Sequence, residues 1–128
     1  MAIRLGPVQY QIMRVLWLQG AANARMITDA LTQESEIAHS TVQTLLRQLE
    51  AKRAVSHEQR DRTFYYKAIV TEHEVTRSAT QDLLARVFRG SITGLVAHLL
   101  ESEEISEDEL ARLRKLVNAS TPAPEVRE

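Results

Sequence analysis

The chain has no cysteine, so disulfides, thiol catalysis, iron–sulfur clusters and cysteine-based zinc fingers are all excluded. Aromatic residues make up 5% of it, with a single tryptophan, so aliphatic side chains must supply most of its core. Four glycines and three prolines among 128 residues leave little room for long irregular segments, which favours helices joined by short turns. No apolar run approaches the roughly 20 residues that span a bilayer, and Met1 to Gly6 lacks the apolar centre of a signal peptide. A cytoplasmic protein without membrane insertion is the expectation. The length suits one domain, or one compact unit with an attached interaction segment.

Charge is scarce only on average. The net value is −1, but residues 1–70 hold nine Lys/Arg against six Asp/Glu, while residues 71–128 hold seven against eleven. The basic excess of +3 lies in the same half as the most distinctive segment, Ser40 to Tyr66. There Val42, Leu45, Leu46 and Leu49 recur at i, i+3, i+4 and i+7, a stripe for docking on a core. Ser40, Thr44 and Arg47 project from the other side. An ordinary solvated helix carries Glu and Lys there, whereas short hydroxyl, amide and guanidinium groups approach base edges and phosphates closely.

The surrounding pattern supplies a context. Pro7 opens a first helix whose Val8, Ile12, Val15 and Leu16 form a stripe ending near Gly20, and Asn23 caps a short second helix with Ile27, Ala30 and Leu31 inward. The third helix starts at Ser40 or, alternatively, near Ala38. After Lys52 the period changes to two: Ala54–Glu58 and Arg62–Ile69 are expected strands around a Gln59–Arg60–Asp61 turn, with Phe64 and Tyr66 packing on the helices.

From Thr71 the chain returns to helix. Leu83, Leu84, Val87 and Phe88 precede a left-handed Gly90, and Ser91 opens a helix striped by Ile92, Leu95, Val96, Leu99 and Leu100. Ser106 and Glu109 form a capping box for a last helix carrying Leu113, Leu116 and Val117. Three helices with no other cover make a thin core, whereas two copies can bury each other, so Leu84, Val87, Phe88, Leu95, Val96, Leu99, Leu100, Leu113 and Leu116 are expected at a homodimer interface. Residues 120–128 contain too little apolar surface to fold and are expected to form a flexible tail.

The chain resembles the BlaI/MecI penicillinase-repressor family of winged-helix transcription regulators. The resemblance rests on Leu5, Ile12, Met13, Leu16 and Trp17, on the string STVQTLLR from Ser40 with Leu49, on Arg62-Thr-Phe and Tyr66, and on Gly90-Ser91, Leu95-Val96 and Ile105-Ser106-Glu-Asp-Glu-Leu. It implies a mainly α fold with a small β-hairpin wing: a winged helix-turn-helix over residues 1–70 that binds DNA, a three-helix dimerisation region over 71–119, and a homodimeric, non-enzymatic repressor on an inverted-repeat operator. Four departures stand out. Arg53 and Asp61 occupy places where the family usually has glycine. The cysteine hook of copper-responsive relatives is absent, which excludes thiolate copper sensing. His98-Leu99 stands where resistance repressors are cleaved at Asn-Phe, so release by a membrane-bound sensor protease or by another inducing system stays open.

Roles follow from side-chain chemistry. Gln43 suits adenine, the Thr44 methyl suits thymine, and Arg47 suits guanine or phosphate. Ser40 and Thr41 at the helix start suit a phosphate, or simply cap the helix. Arg60 and Arg62 would let the wing reach backbone or minor groove, with His39 and Lys52 flanking, although Arg62 serves equally well as a brace for the hairpin. Tyr65 reads better as a surface strand residue than as a stacking group, and Trp17 as a packing anchor. His39, His57, His73 and His98 give at most half a metal or catalytic site, even with Glu101 one turn from His98, so no cofactor, metal or catalysis is expected. Two other functional classes compete with the repressor: a winged helix released by a small-molecule effector, as in MarR-like regulators, and a winged helix used as a protein-interaction module.

Overall fold

The computed structural model describes residues 3–122. Pro7 stands at the first position of α1 (Pro7–Gln19), where its missing N–H costs nothing, and Gly20 closes that helix at φ 79°. β1 (Ala22–Asn23) follows, and the Asn23 side chain then accepts the Met26 amide at 2.8 Å to cap α2 (Ala24–Thr32). α3 spans His39–Ala51. Its N-cap is Ala38, which has no side-chain oxygen to offer, so Ser40 lies inside the first turn and is not the cap.

The hairpin consists of β2 (Val55–Arg60) and β3 (Thr63–Ala68), antiparallel, with Arg60 opposite Thr63. The turn therefore holds Asp61 and Arg62, one residue later than the Gln59–Asp61 turn expected from sequence. Both have positive φ, 48° and 69°, which is the backbone of a two-residue type I′ turn. β1 adds to β3 through Ala22 opposite Tyr66 and Asn23 opposite Tyr65, giving a three-stranded sheet in the order β1-β3-β2. That third strand is invisible to pattern reading: two residues carry no period.

One cluster forms the core. Ile12, Met13 and Leu16 of α1, Ile27 and Leu31 of α2, and Val42, Leu46 and Leu49 of α3 close on Ala22, Ala54, Val55 and Tyr66. Each fully buried aliphatic side chain contributes about 1.5–3 kcal/mol, so the apolar stripes are what hold α3 in place. Phe64 does not join them. It shares a sheet face with Tyr66 but stays 43% exposed, and stacks on the His57 ring at 4.3 Å instead.

α4 (Glu72–Arg86), α5 (Ile92–Ser102) and α6 (Glu107–Ala119) are each capped by a hydroxyl: Thr71 accepts from Glu74 N–H, Ser91 from Gly94 N–H and Ser106 from Glu109 N–H. Only the serine half of the expected Ser106–Glu109 box is formed, since the Glu109 carboxylate lies beside Arg112 at 3.5 Å. α4 ends at Arg86, before Val87 and Phe88, and Gly90 follows at φ 83° with its N–H donating to the Leu84 carbonyl. α4 buries Val75, while α5 and α6 bury no residue at all. Val87, Ile92, Val96, Leu99, Leu100, Leu116 and Val117 stand exposed, and Leu84, Phe88, Leu95 and Leu113 are half-buried. No described helix is long and apolar enough to cross a membrane. The expected tail lies outside the described residues beyond Pro122.

Candidate nucleic-acid interface

Because Val42, Leu46 and Leu49 are locked into the core, the opposite side of α3 must face outward. Ser40, Thr41, Gln43, Thr44 and Arg47 are all exposed there. Three of them form a chain along the helix: Arg47 Nη2 donates to Thr44 Oγ1 at 3.2 Å, and Thr44 Oγ1 donates to the Ser40 carbonyl at 3.0 Å. The guanidinium is thus held against the helix surface at a defined height. Thr41 is less available than its position suggests, since its amide already donates to the Ala38 carbonyl at 3.0 Å.

Gln43 and Arg47 also line a cleft of about 640 Å³ between α3 and the wing. His39, the turn residue Arg62 and Phe64 line it as well. His39 is fixed from below, its Nδ1 lying 2.8 Å from the Thr28 hydroxyl, which is itself 2.8 Å from the Ala24 carbonyl. At the base of the cleft, Glu50 sits 2.6 Å from His57 Nδ1, tying the third helix to the wing. The nearby Tyr66 phenol titrates above its usual 10.0, chiefly because it is desolvated and secondarily because of the Glu50 carboxylate, with Arg47 opposing both.

The wing arginines diverge. Arg62 borders the cleft, whereas Arg60 lies on the other sheet face, its guanidinium 5.3 Å from the centre of the Tyr65 ring and 3.4 Å from Glu58. Tyr65 is accordingly a platform for Arg60. Lys52 is set apart from the whole group: its ammonium donates to the Arg4 carbonyl at 2.6 Å and to Gln9 Oε1 at 3.0 Å, an internal commitment that sequence spacing gives no hint of.

Sequence reasoning passes over Asn23, Arg25 and Glu50, all of which line the cleft. Arg25 carries a usable signal, as a cation in the first turn of a helix, where the dipole disfavours it unless an anion is near. Glu50 carries none, because its place opposite His57 depends on how the hairpin folds back.

The described residues thus present an outward helix face of hydroxyl, amide and guanidinium groups, flanked by a hairpin with an arginine at its turn. Known proteins share this shape and sequence. The model of the penicillinase repressor family matches residues 5–119. The methicillin resistance regulatory protein MecI of Staphylococcus aureus strain N315 is 23% identical over 114 residues, covering 89% of this chain and 93% of its own length. The penicillinase repressor of Bacillus licheniformis is 24% identical over 114 residues, covering 89% of each chain. Among solved structures, the DNA-binding domain of the repressor BlaI superposes with a TM-score of 0.51 at 25% identity, covering 58% of this chain and 93% of that domain. The three-helix unit with its hairpin is a winged helix, and the chain belongs to the penicillinase repressor family.

Proposed function

We propose that this chain is a sequence-specific DNA-binding repressor that works as a homodimer on an inverted-repeat operator. Residues 1–70 read DNA and residues 71–119 join the two copies. α3 enters the major groove, Gln43, Thr44 and Arg47 meet base edges, Ser40 and Thr41 meet backbone, and Arg62 carries the wing to the flanking backbone or minor groove. The observation that carries this reading is the Arg47–Thr44–Ser40 chain on the exposed side of a helix whose other side is core. Membership of a repressor family supports it independently.

Dimerisation is supported by the same division of surface. The α5 and α6 stripes bury nothing in one copy, and a basic excess of +3 per DNA-reading unit is small for firm binding until it is doubled. A two-fold dimer presents its α3 helices about one DNA turn apart, ~34 Å, or a multiple of it, which requires a palindromic site. Titration of operator duplex with wild type and Arg47→Ala at several salt concentrations tests the reading. The expected loss is about 1–3 kcal/mol with relaxed preference at one base pair, and an unchanged affinity or a flat salt dependence would overturn it.

A further inference from the structure

The segment before α1 lies between two parts of the molecule and is bonded to both. On one side Lys52, at the end of α3, donates to the Arg4 carbonyl at 2.6 Å. The same ammonium donates to Gln9 Oε1, which also accepts the Gly6 amide at 3.0 Å, and Gln9 Nε2 returns to α3 by donating to Gln48 Oε1 at 3.0 Å. Gln9 is a buried polar side chain with both ends of its amide satisfied, so this junction is rigid. On the other side the Ile3 amide donates to Ser78 Oγ at 3.0 Å and the Arg4 guanidinium reaches Asp82 at 3.5 Å. Ser78 and Asp82 stand one turn apart on α4, so the strap lies along one face of that helix.

Apart from this strap, α4 is held by little: the buried Val75 and, just before the helix, the Val70 carbonyl accepting Trp17 Nε1–H at 2.9 Å. Both lie within six residues of where the helix starts. They fix where α4 begins, and the strap, at Ser78 and Asp82, fixes where it points.

We infer that residues 3–6, with Lys52 and Gln9, set the direction in which α4 leaves the DNA-reading unit, and thereby the half-site spacing that the dimer accepts. Lys52 is a positioning residue in this account and makes no phosphate contact. The inference rests on the dimeric DNA reading above. At the α3 end a buried amide hub and a charge-assisted bond hold the strap, and at the α4 end the Ile3–Ser78 bond is the firmer tie, since Arg4 shares the Asp82 carboxylate with Arg86, which lies nearer at 2.9 Å.

The test uses the full-length protein and a palindromic duplex selected by it, together with derivatives whose half-sites are moved one or two base pairs closer or farther. Wild type should prefer one spacing. Lys52→Met removes the direct bond from α3 to the Arg4 carbonyl, leaving the Gly6–Gln9–Gln48 route, and the Ser78→Ala, Asp82→Asn double variant removes both bonds to α4 together with the Asp82–Arg86 pair within that helix, which Arg86→Gln breaks alone as a control. Lys52→Met and the double variant should each reduce the preference for the native spacing by about tenfold, roughly the loss of one charge-assisted bond. Affinity for an isolated half-site should stay within about twofold of wild type for the double variant, whose changes lie outside the DNA-reading face. The salt slope of Lys52→Met should match wild type.

A uniform loss across all spacings for Lys52→Met, with the salt slope reduced by about one per protomer, would make Lys52 a phosphate contact and overturn the inference. So would a double variant that keeps the wild-type spacing preference, or a wild type indifferent to spacing. Absence of any duplex binding is a different outcome, which removes the DNA reading and this inference with it.

Discussion

Arg53 occupies a place that the backbone reserves for glycine, and replacing it should make the protein more stable. α3 ends in a Schellman arrangement: Arg53 N–H donates to the Glu50 carbonyl at 3.0 Å, and Ala54 N–H reaches back to the Leu49 carbonyl at 2.9 Å. Arg53 sits between them at φ 64°. A side chain bearing Cβ costs about 1–2 kcal/mol in that conformation, while glycine costs about 0.5–1 kcal/mol more than other residues through its freedom in the unfolded chain. Arg53→Gly should therefore gain about 0.5–1 kcal/mol, or about 3 °C in Tm for a chain of this size. Arg53→Ala separates backbone from side chain, because alanine keeps the penalty and should leave stability within about 0.5 kcal/mol of wild type. Urea titrations of the three proteins at one concentration read both differences. A glycine variant no more stable than the alanine variant would refute the reasoning, and a loss of operator affinity common to both would give the Arg53 guanidinium a phosphate contact.

Other outcomes follow from the core, the exposed stripes and the cleft. Leu46 is fully buried between the helices, so Leu46→Ala should cost about 2–5 kcal/mol in urea unfolding, and a loss below about 1 kcal/mol would contradict its placement. Leu99→Asp with Leu100→Asp should turn a dimer into a monomer by light scattering at micromolar concentration; a variant that stays dimeric would put the interface elsewhere. The Tyr66 phenol, raised above 10.0 by burial, favours the folded state while protonated. Its contribution is complete below pH 10 and is lost as pH rises through the folded value, so wild type should lose stability above pH 10 more steeply than Tyr66→Phe, and parallel curves would count against it.

What is legible in the chain is whatever is local. Pro7, Asn23, Thr71, Ser91 and Ser106 announce their helix starts because capping needs only the next three residues. The stripe of Val42, Leu46 and Leu49 fixes which side of α3 is core, and with it which side is free. The start of α3 is harder, since Ala38 caps it without a side chain and tertiary packing alone sets the boundary. The wing turn falls one residue later than its pattern suggests because Asp61 and Arg62 adopt positive φ without the glycine or asparagine that would mark it. Phe64 reads as an inward residue by its type, but it finds its partner in the His57 ring on the neighbouring strand and stays outside the core. Lys52 joins Arg4 and Gln9 across more than forty residues, and no spacing rule reaches that far. The Glu50–His57 pair is closer in sequence yet equally hidden, because it exists only once the hairpin has folded back on α3.

The central proposal is that two copies of this chain read a palindrome through α3 and the wing. Selection of binding sites from random duplex DNA with the full-length protein addresses it most directly. Enrichment of an inverted repeat whose half-site centres lie about one helical turn, ~34 Å, or a multiple apart is the predicted result. Failure to enrich any duplex, or enrichment of a single half-site without its mirror image, would contradict it.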